Sequence, residues 1–212
     1  MASRFKFWLA VILAIGFLFF CDAYLGEYSL GIVNNIAIFI TLAISYNLIN
    51  GVTGQFSLEP NGFVAVGAYV AAILLLNADS KLYQFDAAEP SNIILAIYTS
   101  NFILAMFISG VCATLLALLL AMPVFRVRGD YLAIVTLGFG FIIQLLAVNF
   151  PAFTNGSIGL NEVMRVDSNG DLSRFTNIFY SGGLAIFATV VILNLVYSKF
   201  GRAMKAVRDD ED

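Results

Sequence analysis

Apolar runs of about 20 residues recur along the whole sequence, and short polar connections separate them. A helix needs about 20 apolar residues to cross the hydrocarbon core of a bilayer. The chain is 60% hydrophobic and 12% charged, whereas soluble domains carry about 25% charged residues. This pattern predicts an all-α protein, a polytopic integral membrane bundle of about six transmembrane helices, in a single membrane domain that covers residues 1–212.

The predicted helices lie at about 5–24, 30–49, 62–77, 93–122, 131–149 and 182–197. The fourth run is longer than a bilayer requires, so it either tilts or starts with a separate short segment around residues 99–101. The first run follows two basic residues, as a secretory signal does, but Phe19 and Phe20 stand where a signal peptidase needs small residues. We therefore expect a retained first helix.

Several kinds of chemistry are missing from the sequence. Histidine is absent, which excludes Ser/His/Asp and Cys/His catalysis and HExxH metal sites. Neither GxxxxGK[ST] nor GxGxxG occurs, and the 2 cysteines, Cys21 and Cys112, lie in apolar runs where they are expected to pack as small apolar residues. We expect no catalytic residues, no metal site, no cofactor and no nucleic-acid partner.

A polar break that contains glycine separates the second and third apolar runs, with the sequence GVTGQFSLEPNG at 51–62. In hydrocarbon every backbone N–H and C=O needs a partner, so such a break is tolerated only where protein or water surrounds it. Pro60 is expected to fix a turn and Asn61 to cap the third helix. The break is a candidate for function, and Glu59 is its one charged residue.

The positions of lysine and arginine predict the orientation of the chain, because cytoplasmic connections carry an excess of them. With the N-terminus in the cytoplasm, only Lys81, Arg165 and Arg174 of the 11 basic residues lie outside. The other basic residues, all inside, are Arg4, Lys6, Arg126, Arg128, Lys199, Arg202, Lys205 and Arg208. We expect a multi-pass membrane protein, in contact with lipid and with a cytoplasmic N-terminus.

Four stretches together resemble one family, the membrane permease subunits of ABC importers for branched-chain amino acids, of the M type. They are NLINGVTGQFSLEPNGFVAVGAYVAAIL, RVRGDYLAIVTLGFGFIIQLL, TNGSIGL and GRAMKAVRDDED, in this order between residues 47 and 212. The resemblance implies a permease of a bacterial-type inner membrane. It would translocate branched-chain amino acids, or related small amino acids or amides, and hydrolyse no ATP itself. It also implies a second permease subunit, two cytoplasmic ATP-binding subunits and an extracytoplasmic binding protein as partners.

The resemblance implies three groups of functional residues. The substrate pathway would comprise Gln55, Ser57, Glu59, Asn61, Thr136 and Gln144; the last two share one helix face by their spacing. For Gln55 and Ser57 the alternative is that they only satisfy backbone groups at the break. The segment 199–212 resembles the start of a coupling loop, in which Gly201 would let a short helix turn away from the last span. This turn would leave Arg202, Ala203, Ala206, Arg208, Asp209 and Asp210 available to the ATPase. The binding protein would contact Asp86, Thr154, Asn155, Gly156 and Gly159.

The sequence departs from the family pattern in three places. Glu59, Pro60 and Asn61 replace the usual Gly, then His or Gln, then a small residue. Phe141 and Gln144 replace a usual Glu and Arg, which is what removal of an ion pair as a unit would leave. Family members also continue with further helices, so we expect a truncated permease. The alternative function is a channel or scaffold subunit that is not coupled to ATP.

Overall fold

The computed structural model describes residues 2–55, 57–58, 60–85, 89–124, 126–127, 130–160, 164–166, 172–174 and 177–209. These residues are almost entirely helical, which confirms the predicted fold class. The elements are α1 (Ala2–Tyr24), α2 (Glu27–Asn47), a π-helical turn (Leu48–Val52), α3 (Pro60–Leu75), α4 (Ala78–Gln84), α5 (Asn92–Ala96), α6 (Phe102–Val124), α7 (Asp130–Asn149), α8 (Pro151–Thr154), β1 (Met164–Val166), β2 (Leu172–Arg174), α9 (Ile178–Val196) and α10 (Lys199–Asp209).

Five helices of the described chain are long and apolar enough to cross a membrane: Phe7–Tyr24, Glu27–Val52, Phe102–Val124, Tyr131–Asn149 and Ile178–Val196. A sixth apolar helix, α3, has 16 residues, fewer than the roughly 20 that a perpendicular span requires. The predicted multi-pass bundle is therefore present, and its third helix is the short one.

The connections hold more structure than the sequence predicted. The run at 93–122 consists of α5 and α6, and the side chain of Asn101 begins α6 by accepting a hydrogen bond from Ile103 N at 3.1 Å. The segment after α3 contains α4, and Asn77 caps this helix by accepting a hydrogen bond from Ser80 N at 2.9 Å. The polar segment after α7 contains α8 and an antiparallel pair of strands in which Met164 lies opposite Arg174.

The described chain forms two compact units, and the first comprises Met1–Gln55 with Thr176–Asp212. Its core contains Leu18, Cys21 and Ile178. Ser181 Oγ donates a hydrogen bond of 2.6 Å to Asn34 Oδ1 and so joins α9 to α2. Asn34 therefore serves interhelical bonding, as expected for a polar group in an apolar bundle.

The second unit is Phe56–Phe175. Helix α3 packs on α6, where Leu74, Leu75 and Ala105 form a buried cluster. Helix α7 packs on α3 where Gly62 meets Ile143, since a Cβ at Gly62 would lie 2.7 Å from Ile143 Cδ1. Close approach at a glycine fixes the crossing point of the two helices.

Candidate functional site

The end of α2 departs from regular helix in the first unit. The π-helical turn Leu48–Val52 is followed by Thr53, whose Oγ1 donates to Ile49 O at 2.5 Å, and by Gly54 with φ of 71°. A positive φ is a conformation that glycine adopts without strain. Gln55, one of the predicted pathway residues, follows and is half-buried. Single π-helical turns are frequent at functional sites, and this turn overlaps the start of the polar break at 51–62.

A cavity of about 390 Å³ opens between α3 and α7 in the second unit. Two of the predicted pathway residues, Asn61 and Gln144, line it. Its other described lining residues are Leu58, Gly62, Ala65, Tyr69, Leu137, Gly140, Phe141, Ile143, Ala147, Val148, Gly156 and Ser157. None of these described residues is charged, so the cavity offers apolar walls with a few neutral hydrogen-bonding groups.

Thr136, also predicted in the pathway, is 2% exposed and is not among the described lining residues, but it bonds to one of them. Its Oγ1 accepts a hydrogen bond from Leu58 N at 3.1 Å and donates to Ala133 O at 3.1 Å. Thr136 thereby holds Leu58, a lining residue, against α7. Ser57 is half-buried and is not among the described lining residues, and Glu59 lies outside the part of the chain that the structure describes.

The position of Asn61 differs from the cap that the sequence indicated. Helix α3 begins at Pro60, so Asn61 lies in the first turn of the helix and not before it. Proline is well suited to the first helical position because its fixed φ is already helical and its missing N–H would have no intrahelical partner there. The amide of Asn61 is exposed at the mouth of the cavity.

Hydrogen bonds of its own buried side chains hold the loop that is predicted to meet a binding protein. Asn155 adopts φ of 62°, is 1% exposed, and donates from Nδ2 to Gln84 O at 2.7 Å and to Gly159 O at 2.9 Å. Thr154 Oγ1 donates to Phe150 O at 2.9 Å and to Ala147 O. Gly156 is buried in this loop, and Gly159 has φ of 71°.

The same loop presents other residues at its surface. Ser157 and Ile158 are exposed, while Asp86, predicted as a further contact, lies outside the described residues. The loop therefore combines a rigid interior, made of the predicted residues, with an accessible tip made of their neighbours.

Helix α10 leaves α9 through a sharp turn at Ser198. The hydroxyl of Ser198 donates to Leu195 O at 2.6 Å and accepts from Phe200 N at 3.1 Å, which ends one helix and begins the next. Gly201 is buried at this turn, and its backbone lies close to the end of α9. A Cβ at Gly201 would lie 2.5 Å from Leu195 O and closer still to Val196 O, so a side chain would not fit.

The predicted coupling residues fall on two sides of α10. Arg202, Ala203 and Ala206 are exposed, whereas Gly201 is buried against α9. Arg208 is exposed but its Nη1 donates to Gly51 O at 3.3 Å. Asp209 ends the helix, nothing is described of its side chain, and Asp210 lies outside the described residues.

Lys81 is a buried cation that the sequence did not single out. It is 0% exposed, and its Nζ donates to Ile94 O at 2.6 Å and to Ile97 O at 2.5 Å, which joins α4 to the end of α5. Desolvation by burial holds the pKa of Lys81 below the usual 10.5. A lysine within a short polar segment predicts a solvated charge, and only the folded connection shows its two carbonyl partners.

Tyr69 and Ser157 are the polar lining residues that the sequence did not indicate. The spacing of four residues from Asn61 through Ala65 to Tyr69 places all three on one face of α3. Following this face of the helix for two turns beyond Asn61 would have indicated Tyr69. Ser157 comes from the loop after α8, and no periodicity indicates its position.

Comparison with known proteins gives one family and two described relatives. A family model described as "Branched-chain amino acid transport system / permease component" matches residues 28–212. The high-affinity branched-chain amino acid transport system permease protein LivM of Escherichia coli K12 is 31% identical over 199 residues, covering 82% of this chain and 42% of the relative. LivM of Salmonella typhimurium LT2 is 30% identical, with the same coverage of 82% and 42%. The chain thus spans less than half the length of these relatives, and no solved structure gives a significant match.

Proposed function

The chain belongs to the permease component family of branched-chain amino acid transport systems, and from this membership we propose that it translocates branched-chain amino acids within an importer whose ATP is hydrolysed by separate subunits. As a member of this family it is a component of a membrane transporter and a multi-pass inner-membrane protein. We further propose that it acts as one membrane domain with a cytoplasmic N-terminus. A channel or scaffold without ATP coupling is not favoured by the family match.

The cavity between α3 and α7 is the observation that carries this proposal. Its volume of about 390 Å³ lies within the usual range of small-ligand pockets, about 300–1,000 Å³. Apolar walls suit an aliphatic side chain, and the neutral amides of Asn61 and Gln144 supply hydrogen bonds to the polar end of an amino acid. Weak, neutral contacts suit a conduit, because a substrate that is bound tightly in the pathway would leave slowly.

The test of the pathway is uptake of radiolabelled leucine into membrane vesicles that contain the protein with the ATPase and binding-protein subunits of its transport system. Asn61→Leu with Gln144→Leu is expected to lower the initial rate at least about tenfold, because both amide partners of the substrate are lost. Asn149→Leu is the matched control, since Asn149 is an exposed amide on the same helix and bonds only Leu145 O among the described contacts. Equal rates for the double variant and the control would refute the pathway role.

Gln55 and Ser57 form a second part of the proposed pathway and have their own test. Gln55 lies three positions and Ser57 one position before Leu58, which lines the cavity. We expect Gln55→Leu with Ser57→Ala to slow leucine uptake in the same vesicles. Unchanged uptake would mean that the two side chains only satisfy backbone groups at the break.

The proposed ATPase contact is the exposed side of α10. Arg202, Ala203 and Ala206 project from a helix that α9 and Gly201 hold in place. Ala203→Glu with Ala206→Glu should reduce co-purification of the ATPase subunit, because two charges would enter an interface built for small side chains. Gly110→Ala, at an open position on α6, is the control, and retention of the ATPase by the double variant would exclude this surface.

We propose that the second permease subunit packs along the exposed apolar faces of the helices.

We propose that the binding protein contacts the tip of the loop after α8. The loop interior formed by Thr154, Asn155, Gly156 and Gly159 holds the tip in position. Ile158→Arg should weaken transport only at limiting binding-protein concentration, because Ile158 is exposed at the tip and is not among the described residues that line the cavity. A loss of transport at saturating binding protein would contradict this assignment.

A further inference from the structure

Arg208 in the last turn of α10 bonds back to its own chain. Its Nη1 donates to Gly51 O at 3.3 Å. Gly51 lies in the π-helical turn Leu48–Val52, where the regular i to i−4 bonding of α2 is lost. The last carbonyls of a helix need partners from outside the helix, and basic side chains are suited to supply them.

The aliphatic stem of Arg208 packs against Gly54. A Cβ at Gly54 would lie 3.1 Å from Arg208 Cδ and 3.2 Å from Arg208 Cβ, and still closer to Cγ. Gly54 therefore has two reasons to be glycine: its φ of 71° and the arginine stem that fills the space of a side chain. These contacts and the Gly51 bond all lie within the first unit.

The spacing along α10 separates Arg208 from the exposed side of the helix. At roughly 100° per residue, Arg208 is rotated only about 20° from Gly201, which is buried against α9. Arg202, Ala203 and Ala206 lie roughly 100–200° away from Gly201 and are exposed. Gly201 and Arg208 thus share the side of α10 that faces its own chain.

We propose that Arg208 is a positioning residue, which holds the π-helical turn and the residues up to Gln55 against α10. In this proposal Arg208 does not belong to the surface that contacts the ATPase. The contact surface on α10 is then limited to the side of Arg202, Ala203 and Ala206. The role of that surface rests on the proposed function, whereas the hold on the turn does not. A displacement of α10 would carry Gly51 and Gly54 with it, and with them Gln55.

The first experiment measures how accessible position 55, just after the π-helical turn, is to water, in membranes that contain the protein. A single cysteine, Gln55→Cys, is introduced with Cys21→Ala and Cys112→Ala, and its rate of reaction with a water-soluble maleimide is recorded. Arg208→Ala should raise this rate roughly three- to tenfold, the range expected when one ordinary exposed hydrogen bond is lost. Arg208→Met keeps the stem against Gly54 and should give an intermediate rate.

Arg202→Ala is the matched control, because it removes the same charge from an exposed position of the same helix. It should leave the reaction rate of Gln55→Cys unchanged. In the Gln55→Cys protein, an equal reaction rate with and without Arg208→Ala would overturn the proposal. Equal increases for Arg208→Ala and Arg202→Ala would overturn it as well.

The second experiment measures ATPase association by co-purification with the complete transport system. Arg208→Ala should retain the ATPase subunit, while Ala203→Glu with Ala206→Glu should lose it. Loss of the ATPase with Arg208→Ala, without a change in maleimide reaction, would place Arg208 at the partner surface and overturn the proposal. Because the maleimide rate needs neither transport nor ATP, failure of leucine uptake in the unsubstituted system would count against the proposed function alone.

A double-mutant cycle tests the contact with Gly54. Gly54→Ala should raise the maleimide rate by itself, because the new Cβ collides with the arginine stem and because φ of 71° is strained for alanine. With Arg208→Ala also present, the added effect of Gly54→Ala should be smaller, since the collision with Cγ and Cδ is gone. Strict additivity of the two substitutions would show that the two residues do not act together.

Discussion

Gly62 of α3 lies against Ile143 of α7, so that a Cβ at Gly62 would stand 2.7 Å from Ile143 Cδ1. Both residues also line the cavity between the two helices. The distance between α3 and α7, and with it the width of the cavity, therefore depends on the absence of one side chain. Small residues at helix crossings in membranes allow this kind of close approach.

Substitution of Gly62 should separate the two helices. We expect Gly62→Ala to lower the free energy of unfolding by about 1–3 kcal/mol through overpacking, measured by thermal unfolding in detergent. Gly67→Ala is the control on the same helix, because nothing lies within 4 Å of a Cβ there. Ile143→Val removes Cδ1 and should restore part of the loss, and a Gly62→Ala variant as stable as Gly67→Ala would contradict the close approach.

A second pair of glycines provides a matched test in the first unit. A Cβ at Gly182 of α9 would lie 2.9 Å from Leu18 Cδ1 and closer to Cδ2, whereas nothing lies within 4 Å of a Cβ at Gly183. Gly182→Ala should destabilise the protein by about 1–3 kcal/mol. Gly183→Ala should leave stability unchanged or raise it by up to about 1 kcal/mol through helix propensity. Equal melting temperatures for the two variants would refute the packing of α9 on α1.

The hydroxyl of Thr136 is expected to matter through Leu58. Thr136→Val leaves the backbone N–H of Leu58 without the acceptor at 3.1 Å, which should cost about 1–3 kcal/mol. Proteolysis within the 53–58 segment in detergent measures the loosened segment, and it should become faster. Thr136→Ser retains the oxygen and should behave like the unsubstituted protein, so equal protection of Thr136→Val and Thr136→Ser would exclude this role.

Lys81 should make stability depend on pH in the alkaline range. Because burial lowers its pKa below 10.5 in the folded protein, the unfolded chain binds more protons between the folded pKa and 10.5. Stability from this group therefore rises as the pH rises through that window, where the buried amine loses its charge. Lys81→Met should abolish this part of the pH dependence when melting temperatures are compared across alkaline pH.

The control for Lys81 is Leu82→Met, an exposed position on the same helix. Lys81→Met should also lower stability by about 1–3 kcal/mol at neutral pH, because the carbonyls of Ile94 and Ile97 lose their donor. Parallel pH profiles for Lys81→Met and the unsubstituted protein would show that Lys81 does not titrate differently in the folded state.

Much of the architecture followed from the sequence because it depends on composition and local pattern. The five long apolar helices and the short α3 correspond to the six predicted runs, since burial in hydrocarbon requires nothing more specific than length and apolarity. The sequence was weaker in the connections, where α4 and the pairing of β1 with β2 depend on contacts between segments.

The candidate site shows the same division. The resemblance to a permease family implied Asn61 and Gln144 as pathway residues, and both side chains line the cavity. Tyr69, Ser157 and the bridging role of Thr136 depend on which helices meet, so the sequence did not indicate them. The family and its functional class could be recognised from contiguous stretches, because such stretches are a property of the chain itself.

Helix α10 shows most clearly what only the tertiary structure decided. From the sequence, Gly201 is expected at a turn, and Arg208 is expected to face a partner together with Arg202, Ala203 and Ala206. In the folded chain Gly201 is buried against α9, and Arg208 bonds to Gly51, 157 residues away. The sequence by itself determined a membrane helical bundle of a transporter family, because length, hydropathy and contiguous motifs are local. The tertiary structure decided which side of each helix is internal, because that depends on distant residues brought into contact.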